Sequence, residues 1–310
     1  METYLVVRAH GLKTRLLGRA DYEAIVRGNR SLSSFNDYRG FNEESDIKEK
    51  VNSVYRVYIS RMKLLSSVAP DYGVFIDALL DRLEIENVKI QLRNIVGERR
   101  KPFFYPYGRV LAPARLSEVA TENELWELLK KTPYYRGGKT PSFVTGSVAE
   151  KEFFLDNLYY LYLLQILSEG FFSKKLVPVL DVVRTEYLVR LFYWKIALGG
   201  AFQRLLDVFP KPFTVSKSAF DAMIKKLKVE SEEVEDLINR RRLTELLNRL
   251  TLALIRYTEY KLRPYSVELP YIYLFNMMAY VEAKNLERVI IGLDAGLQEE
   301  TILSSLVFFK

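Results

Sequence analysis

Residues that could carry acid–base or metal chemistry are scarce in this sequence. His10 is the sole histidine, and cysteine is absent. A zinc site normally takes nitrogen or sulfur ligands, so one built here would depend on carboxylates. The usual nucleophile–base pairs require a histidine beside the nucleophile, and no Gly-x-Ser-x-Gly motif occurs. We therefore predict that the chain is not an enzyme and holds no metal and no cofactor, and that His10 is a hydrogen-bonded residue near the start of the first helix.

Phosphate binding and carboxylate chemistry are not predicted either. The stretch "YYRGGKTPS" brings two glycines and a lysine together at residues 137–139. It lacks the first glycine of the Gly-x-x-x-x-Gly-Lys-Ser/Thr pattern and the strand that should precede it. The adjacent acids at 232–233 and 299–300 stand where negative charge favours a helix N-terminus, so we interpret them as helix-capping residues.

Two stretches mix bases with aromatic residues or concentrate bases. They are "GERRKPFFYPYGR" at 97–109 and "NRRRL" at 239–243. Cations interleaved with aromatic rings are typical of proteins that bind single-stranded nucleic acids, so a helical RNA-binding module is one alternative. Against it, the 46 bases are dispersed and balanced by 39 acids, and no known RNA-binding motif appears. The net charge of +7 indicates only an acidic partner or an anionic surface.

The elements that must position these residues are predicted to be helices. Apolar residues recur three and four apart, which predicts an all-α protein. The segments with this pattern are 51–68, 75–97, 121–131, 150–168, 176–198, 217–228, 231–257 and 271–293. Thr121 and Ser231 stand where helix N-caps are expected, and a stop is predicted at Gly28.

The location is predicted from apolar runs and cysteine usage. The most apolar stretches are too short, or too interrupted by Arg190 and Lys195, for the roughly 20 residues that a spanning helix needs. The first residues are broken by bases, unlike a secretory signal. The lack of cysteine suits a reducing cytoplasm and, with many Arg, Glu and Tyr residues, predicts growth at high temperature. We expect a cytoplasmic protein without a membrane span.

Clusters of proline divide the chain into three parts. Prolines break it near residues 102 and 211, which predicts domains at 1–102, 103–210 and 211–310. Each third ends in a similar helix, because the stretches 84–97, 186–199 and 282–296 can be aligned. The matched residues are Glu84, Glu186 and Glu282; Asn87 and Asn285; Arg93 and Lys195; and Gly97, Gly199 and Gly296.

These matched residues are predicted to have structural roles. An Asn three residues after the Glu can bridge backbone groups of a neighbouring helix, and the Glu can pair with a base such as Arg93 or Arg288. The glycine at each helix end is expected to take the left-handed backbone conformation common at helix C-termini.

Several phrases resemble a known family. They are the opening "YLVVRAHGLKTRLLGRADYEAIVRG", the phrase "SLSSFNDY", the three helix endings and the closing "EAKNLERVIIGLDAGLQEETI". Together they resemble the C-type subunits of archaeal-type rotary ATPases, which are relatives of the d-type subunits of eukaryotic V-ATPases, over residues 4–303.

The resemblance implies an all-α architecture of three pseudo-repeated helical bundles, arranged as a funnel about a pseudo-threefold axis. It implies a non-catalytic part of the central stalk, on the cytoplasmic face of the membrane rotor ring of c/K proteolipids. The foot of the shaft formed by the D and F proteins would enter its socket, and rotation would pass through it as through a rigid body. It implies no nucleic-acid partner and no small-molecule substrate.

Within this interpretation, loops outside the periodic helices are expected to contact the shaft or the ring, because they carry bases. The predicted contact residues are Arg99, Arg100, Lys101, Arg136 and Lys139. A helical scaffold for some other assembly is the remaining alternative. It would share the fold and bind neither the D–F shaft nor the ring.

Overall fold

The computed structural model describes residues 2–97, 102–135, 146–210 and 213–309. In these residues the chain forms fourteen α-helices, joined by turns and single turns of 3₁₀ helix, and no strand. The all-α prediction is confirmed. The helices are α1 Glu2–Lys13, α2 Arg19–Val26, α3 Ile47–Val68, α4 Gly73–Val96, α5 Pro113–Ser117, α6 Glu122–Lys130, α7 Val148–Glu169, α8 Val177–Leu198, α9 Ala201–Leu206, α10 Lys217–Leu227, α11 Ser231–Asn239, α12 Leu243–Leu262, α13 Pro270–Asp294 and α14 Glu299–Ser304.

Side-chain caps explain where several helices begin. The carboxylate of Asp46 accepts the Glu49 N–H at the start of α3, and Ser147 and Ser216 cap α7 and α10 in the same way. At α6 the predicted cap is present. The Thr121 hydroxyl accepts the backbone N–H of Glu124, and the Glu124 carboxylate accepts the backbone N–H of Thr121. These bonds satisfy backbone donors that a helix start leaves free.

One predicted segment is wrong. The pattern at 231–257 indicates a single long helix, but α11 ends at Asn239 and α12 begins at Leu243. Arg241 takes a left-handed backbone conformation with φ 55°, which no α-helix can contain. The apolar spacing is nearly in register across this turn, so periodicity alone does not reveal the break.

The chain divides into two compact units. Unit 1 contains residues Met1–Leu80, Tyr105–Tyr107 and Leu262–Lys310. In it, α13 packs along α3 and α1, and α14 packs against α2 and α13. Its fully buried side chains include the rings of Tyr22, Tyr55, Phe75 and Phe275.

Unit 2 contains residues Asp81–Phe104 and Gly108–Lys261. Its centre is the antiparallel pair α7 and α8, with α10 and α9 packed on α8. The rings of Tyr160 and Tyr187 stack at 5.0 Å between these helices, and Phe153 lies among further aromatic rings. The division into three parts at residues 102 and 211 stays a prediction beside these two units.

The described helices include none that could span a membrane. None of them combines the length and the apolar composition that crossing a bilayer requires.

Candidate functional site

Glu282, on α13, is the acceptor at the centre of a buried cluster in unit 1. Its Oε1 accepts a hydrogen bond from Arg61 Nη1 at 2.6 Å and another from the Tyr38 hydroxyl at 2.6 Å. Its Oε2 accepts the backbone N–H of Leu17 at 2.7 Å. Arg61 also donates from Nε to Asp37 at 2.8 Å. One carboxylate therefore joins α13 to α3, to the turn after α1 and to the turn before α3.

The protonation states in this cluster are fixed by burial and by the neighbouring charges. Burial, and next the charge of Glu282, raise the pKa of Tyr38 well above its ordinary value of 10.0, so the phenol keeps its proton and donates. Burial alone would lower the pKa of Arg61, but the charge of Glu282 and the other acceptors outweigh that effect, and the pKa is raised above its ordinary value. The cluster is thus an ion pair with a neutral phenol.

Glu84, on α4, has a comparable role in unit 2 with different partners. Its carboxylate accepts the backbone N–H groups of Arg109 at 2.5 Å, Val110 at 3.0 Å and Leu111 at 2.8 Å. One turn earlier, Asp81 pairs with the Arg109 guanidinium. Burial raises the pKa of Glu84 above its ordinary value, and the three N–H donors oppose that rise. The two acids fix the segment that leads into α5.

Glu186, on α8, accepts hydrogen bonds from Arg82 and from the Tyr160 hydroxyl, each at 2.9 Å. It is 6% exposed, and Glu84 and Glu282 are 0% and 4% exposed. The three aligned acids are therefore all buried acceptors. Glu186 and Glu282 each accept from an arginine and from a tyrosine hydroxyl, whereas Glu84 accepts from backbone N–H groups.

The predicted pairing of these acids with Arg93 or Arg288 is wrong. Arg93 pairs with Glu152, and Arg288 donates to the carbonyl of Ser305. Both arginines point away from the apolar side of their helices, where the aligned acids are buried. Lys195, the counterpart of Arg93, has its Nζ over the Phe220 ring at 5.0 Å.

The aligned asparagines are also buried. The side chain of Asn285 donates to the carbonyl of Val307 at 2.6 Å and accepts the N–H of the same residue at 3.0 Å. Bridging of backbone groups is present, but the partner is the irregular segment after α14, and the predicted neighbouring helix is wrong for this residue. Asn87 is fully buried on α4.

The glycines that end the aligned helices differ in conformation. Gly296 has a φ of 65°, as predicted for a left-handed helix end. Gly199 also has a positive φ, 53°, but its ψ of −124° lies outside the left-handed helical region, so the prediction is wrong for this residue. Gly97 has no positive φ, and the left-handed prediction is wrong there as well. Its N–H donates to the Arg93 carbonyl at 2.8 Å, and a Cβ at this position would lie 2.8 Å from that oxygen. Close approach to the backbone therefore explains this glycine.

Two further paired lysines were missed in the sequence, the buried Lys89 and the half-buried Lys284. In unit 2, Lys89 Nζ binds Asp156 at 2.6 Å, and the same carboxylate accepts from Trp194 at 2.8 Å. In unit 1, Lys284 Nζ binds Tyr105 at 3.0 Å and Glu287 at 2.8 Å. Each lysine stands within or beside an apolar run on its helix, which was the available signal.

The second lysine explains how unit 1 holds the segment Tyr105–Tyr107. Lys284 Nζ lies within 6 Å of the ring centres of Tyr55 and Tyr105, so the cation is enclosed by aromatic faces as well as hydrogen-bonded. Burial raises the pKa of Tyr105 to about 12, although Lys284 opposes the rise. The Tyr107 ring is buried and lies near Lys63.

The predicted partner-contact residues lie outside the described residues. This holds for Arg99, Arg100 and Lys101, for Arg136 and Lys139, and for the glycines at 137–138. The second basic stretch is described. Its bases at 240 and 242 pair with acids of their own helices, at 236 and 245.

In the part of the chain that is described, we see no cluster of side chains arranged for acid–base catalysis or for metal binding. No group of three or more His, Asp or Glu side chains there could hold a metal ion. His10 lies in the last turn of α1, not near its start as predicted. Its ring stacks on Tyr271 at 4.0 Å and its Nε2 hydrogen bonds with the carbonyl of Ser266 at 2.7 Å.

Comparison with protein families gives one match. The model of a family described as ATP synthase (C/AC39) subunit matches residues 5–305. Comparison with curated proteins finds no match. The family match covers the aligned helix ends of both units.

Proposed function

Because the chain belongs to the ATP synthase (C/AC39) subunit family, we propose that it is the non-catalytic central-stalk rotor subunit of an A-type or V-type rotary ATPase. In that role it is a socket that couples the D–F shaft to the membrane rotor ring and transmits torque during ATP synthesis or hydrolysis. The observation that carries this proposal is the family match over residues 5–305.

The non-catalytic role is supported by what the buried charges do. Glu84, Glu186 and Glu282 each accept hydrogen bonds that hold elements of the fold together. Lys89 and Lys284 are likewise neutralised by neighbouring carboxylates. A catalytic side chain must be able to contact a substrate, whereas these side chains bond to other groups of the protein.

Stiff packing supports the mechanical role. Each unit contains Tyr and Phe rings whose centres lie about 5–6 Å apart, and such close-packed rings adjust little under load. Buried ion pairs and clamped irregular segments add directional bonds to this packing. An element that transmits rotation must transmit strain without absorbing it, and a close-packed helical protein does so.

The remaining parts of the proposal follow the family. We expect three pseudo-repeated bundles around a pseudo-threefold axis, with the D and F proteins on one side and the proteolipid c/K ring on the other. The protein would be cytoplasmic and peripheral to the membrane, held there through the ring. Its complex would translocate protons or other ions.

Co-elution with the shaft tests this function. The purified chain is mixed with the D–F complex and run on a size-exclusion column, and the same is done with detergent-solubilised ring. A complex with each partner is the expected result. If the folded chain elutes separately from both, the proposal is wrong and the scaffold alternative gains support.

The RNA-binding alternative has no supporting observation. The described bases at 240 and 242 are paired with acids, the Tyr107 ring is buried, and the half-buried Tyr105 is bonded to Lys284 within unit 1. Rings that stack on nucleotide bases must instead be accessible.

A further inference from the structure

Helix α1 of unit 1 is apolar on two opposite sides. Its inner side packs on α13 and α3. The residues buried there are Leu5, Val6, Ala9 and Leu12. The opposite side carries Tyr4 and Val7, which are 56% and 61% exposed, and the exposed Gly11. These three residues lie three and four positions apart, so they form one stripe along the helix, which we call the outer stripe. A surface helix normally has a polar outer side, whereas a helix that is apolar all round is normally covered.

Two more exposed apolar side chains lie close to the start of α1. The carboxylate of Glu2 accepts hydrogen bonds from the Tyr72 hydroxyl at 3.3 Å and from the backbone N–H of Leu269 at 3.2 Å. Val74 and Val267 stand two residues from these contacts, and both are more than half exposed. A cluster of exposed apolar side chains marks an interaction site on a water-soluble protein.

Gly11 is not required by the fold of the described residues. Its φ is not positive, and a Cβ at this position would meet no atom within 4 Å. Glycine also disfavours a helix interior relative to other residues. A glycine on the outer side of a helix does, however, allow a second backbone to approach closely. The position therefore suits the crossing of another helix over α1.

The charges of α1 that lack a partner are both positive. Arg8 borders the outer stripe, one turn after Tyr4, and Lys13 follows at the end of the helix. Both side chains are exposed, and neither has a carboxylate partner among the described residues. The only acid of α1, Glu2, is already hydrogen-bonded within unit 1. A complementary partner therefore presents apolar residues together with negative charge.

We propose that the outer stripe is a docking surface for an amphipathic helix of the D–F shaft. That helix lays its apolar face on Tyr4 and Val7, crosses close to Gly11 and places an acidic residue beside Arg8. This inference rests on the proposed function, and it assigns the shaft to one surface of the chain.

The chemistry of the two partners favours the shaft over the ring. The apolar surfaces of a membrane ring face lipid or one another, so its cytoplasmic loops are what a peripheral protein meets. Cytoplasmic loops of membrane proteins carry an excess of Lys and Arg, which would repel Arg8 and Lys13. A water-soluble shaft has no such restriction and can present an apolar helix face edged by acids.

The test replaces two residues of the outer stripe by glutamine. In the variant Val7→Gln with Gly11→Gln of the whole chain, both positions are exposed, and glutamine favours a helix more than valine or glycine does. The unfolding temperature should therefore equal or exceed that of the wild type. Binding to the D–F complex is measured by biolayer interferometry. We expect the dissociation constant to rise at least about tenfold, because polar side chains then separate the two helices.

The matched control is Val177→Gln with Ala222→Gln in unit 2. It also replaces a valine that is more than half exposed and a small exposed residue of a helix. The control should bind the D–F complex within about twofold of the wild type. Both variants should bind the detergent-solubilised ring as the wild type does.

The variant Arg8→Gln tests the charge at the edge of the stripe. The rate of association with the D–F complex should fall at least about threefold at low salt, while the dissociation rate changes little, because an edge charge acts mainly on encounter. An unchanged association rate would contradict an acidic residue beside Arg8.

Four results would overturn the assignment. If the stripe variant binds the D–F complex as tightly as the control does, the stripe is not the docking surface, and the proposed function still stands. If the stripe variant loses affinity for the ring instead, the stripe belongs to the ring. If light scattering shows that the wild type is a dimer and the stripe variant a monomer, a second copy covers the stripe. If the wild type binds neither the D–F complex nor the ring, both proposals fail.

Discussion

At the scale of single residues, one type of side chain, glutamate, supports the fold through unlike partners. Glu282 meets Arg61 across 221 positions of sequence, while Glu84 meets backbone N–H groups about 25 positions away. The sequence places both acids beside an apolar stripe, which predicts that they are structural. It does not predict their partners, because the partner depends on which distant segment packs against that stripe.

Replacing Glu84 by Ala is predicted to destabilise the protein by about 3 kcal/mol, because the backbone N–H groups of residues 109–111 lose their acceptor in a buried place. The free energy of unfolding in urea measures this. Glu235→Ala, an exposed acid of α11, is the control and should cost less than about 0.5 kcal/mol. An equal loss of unfolding free energy in the two variants would show that the hydrogen bonds from residues 109–111 to Glu84 do not stabilise the protein.

The ionised carboxylate of Asp156 leads to a prediction about how the stability of the protein changes at low pH. Burial alone would raise its pKa, but Lys89 and the other donors outweigh burial, and the pKa lies below its ordinary value of 3.8. At a pH between the pKa of Asp156 in the folded chain and its pKa in the unfolded chain, only the unfolded chain binds the proton. The stability that this carboxylate contributes is therefore present above about pH 4 and is lost as the pH falls through the folded pKa.

Asp156→Asn should therefore be destabilised by about 3 kcal/mol at pH 7, with a smaller deficit at pH 3. Urea unfolding of the variant and the wild type across this pH range measures the difference. Glu235→Gln serves as the exposed control and should leave the pH dependence unchanged. A constant deficit from pH 7 to pH 3 would show that the pKa of Asp156 is the same in the folded and the unfolded protein, which would contradict the prediction.

At the scale of elements, local signals predicted the helices well and their breaks less well. The capping box at Thr121 and the stop at Gly296 depend on neighbouring residues only, and both are present. The break at Arg241 has no glycine or proline to announce it. The two hydrogen bonds between Asn285 and the backbone of Val307 form only if the chain turns back toward α13 after α14, and no helical pattern predicts that turn.

Arg241→Gly is predicted to stabilise the protein by about 0.5–1 kcal/mol, because glycine takes a positive φ without the steric cost that arginine pays there. Thermal unfolding measures the change. The control is Lys225→Gly within α10, where the backbone is right-handed, and a loss of about 1 kcal/mol is expected. Similar losses for both variants would mean that α11 and α12 are continuous in solution.

At the scale of the whole molecule, the family could be predicted from the sequence, and the contact surfaces could not. The phrases that resemble the family stand at both ends of the match, at residues near 5 and near 302. The contacts, by contrast, depend on how exposed side chains of separate segments meet a partner. Arg15 and Arg61 show how packing decides which side chains meet at the surface, since they line one depression only through the packing of α1 on α3.

The basic triplet Arg99, Arg100 and Lys101 permits a test that separates local contact from total charge. Reversing all three to Glu brings the formal net charge from +7 to about +1, and reversing Arg240, Arg241 and Arg242 to Glu has the same effect. If residues 99–101 contact the shaft or the ring, only the first variant should lose affinity, by at least about tenfold, since charge reversal at a contact is repulsive. Dissociation constants for both partners at one fixed ionic strength measure this, because salt screens both variants alike. Equal weakening in the two variants would indicate that the overall positive charge attracts the partner, and unchanged binding in both would remove residues 99–101 from the interface.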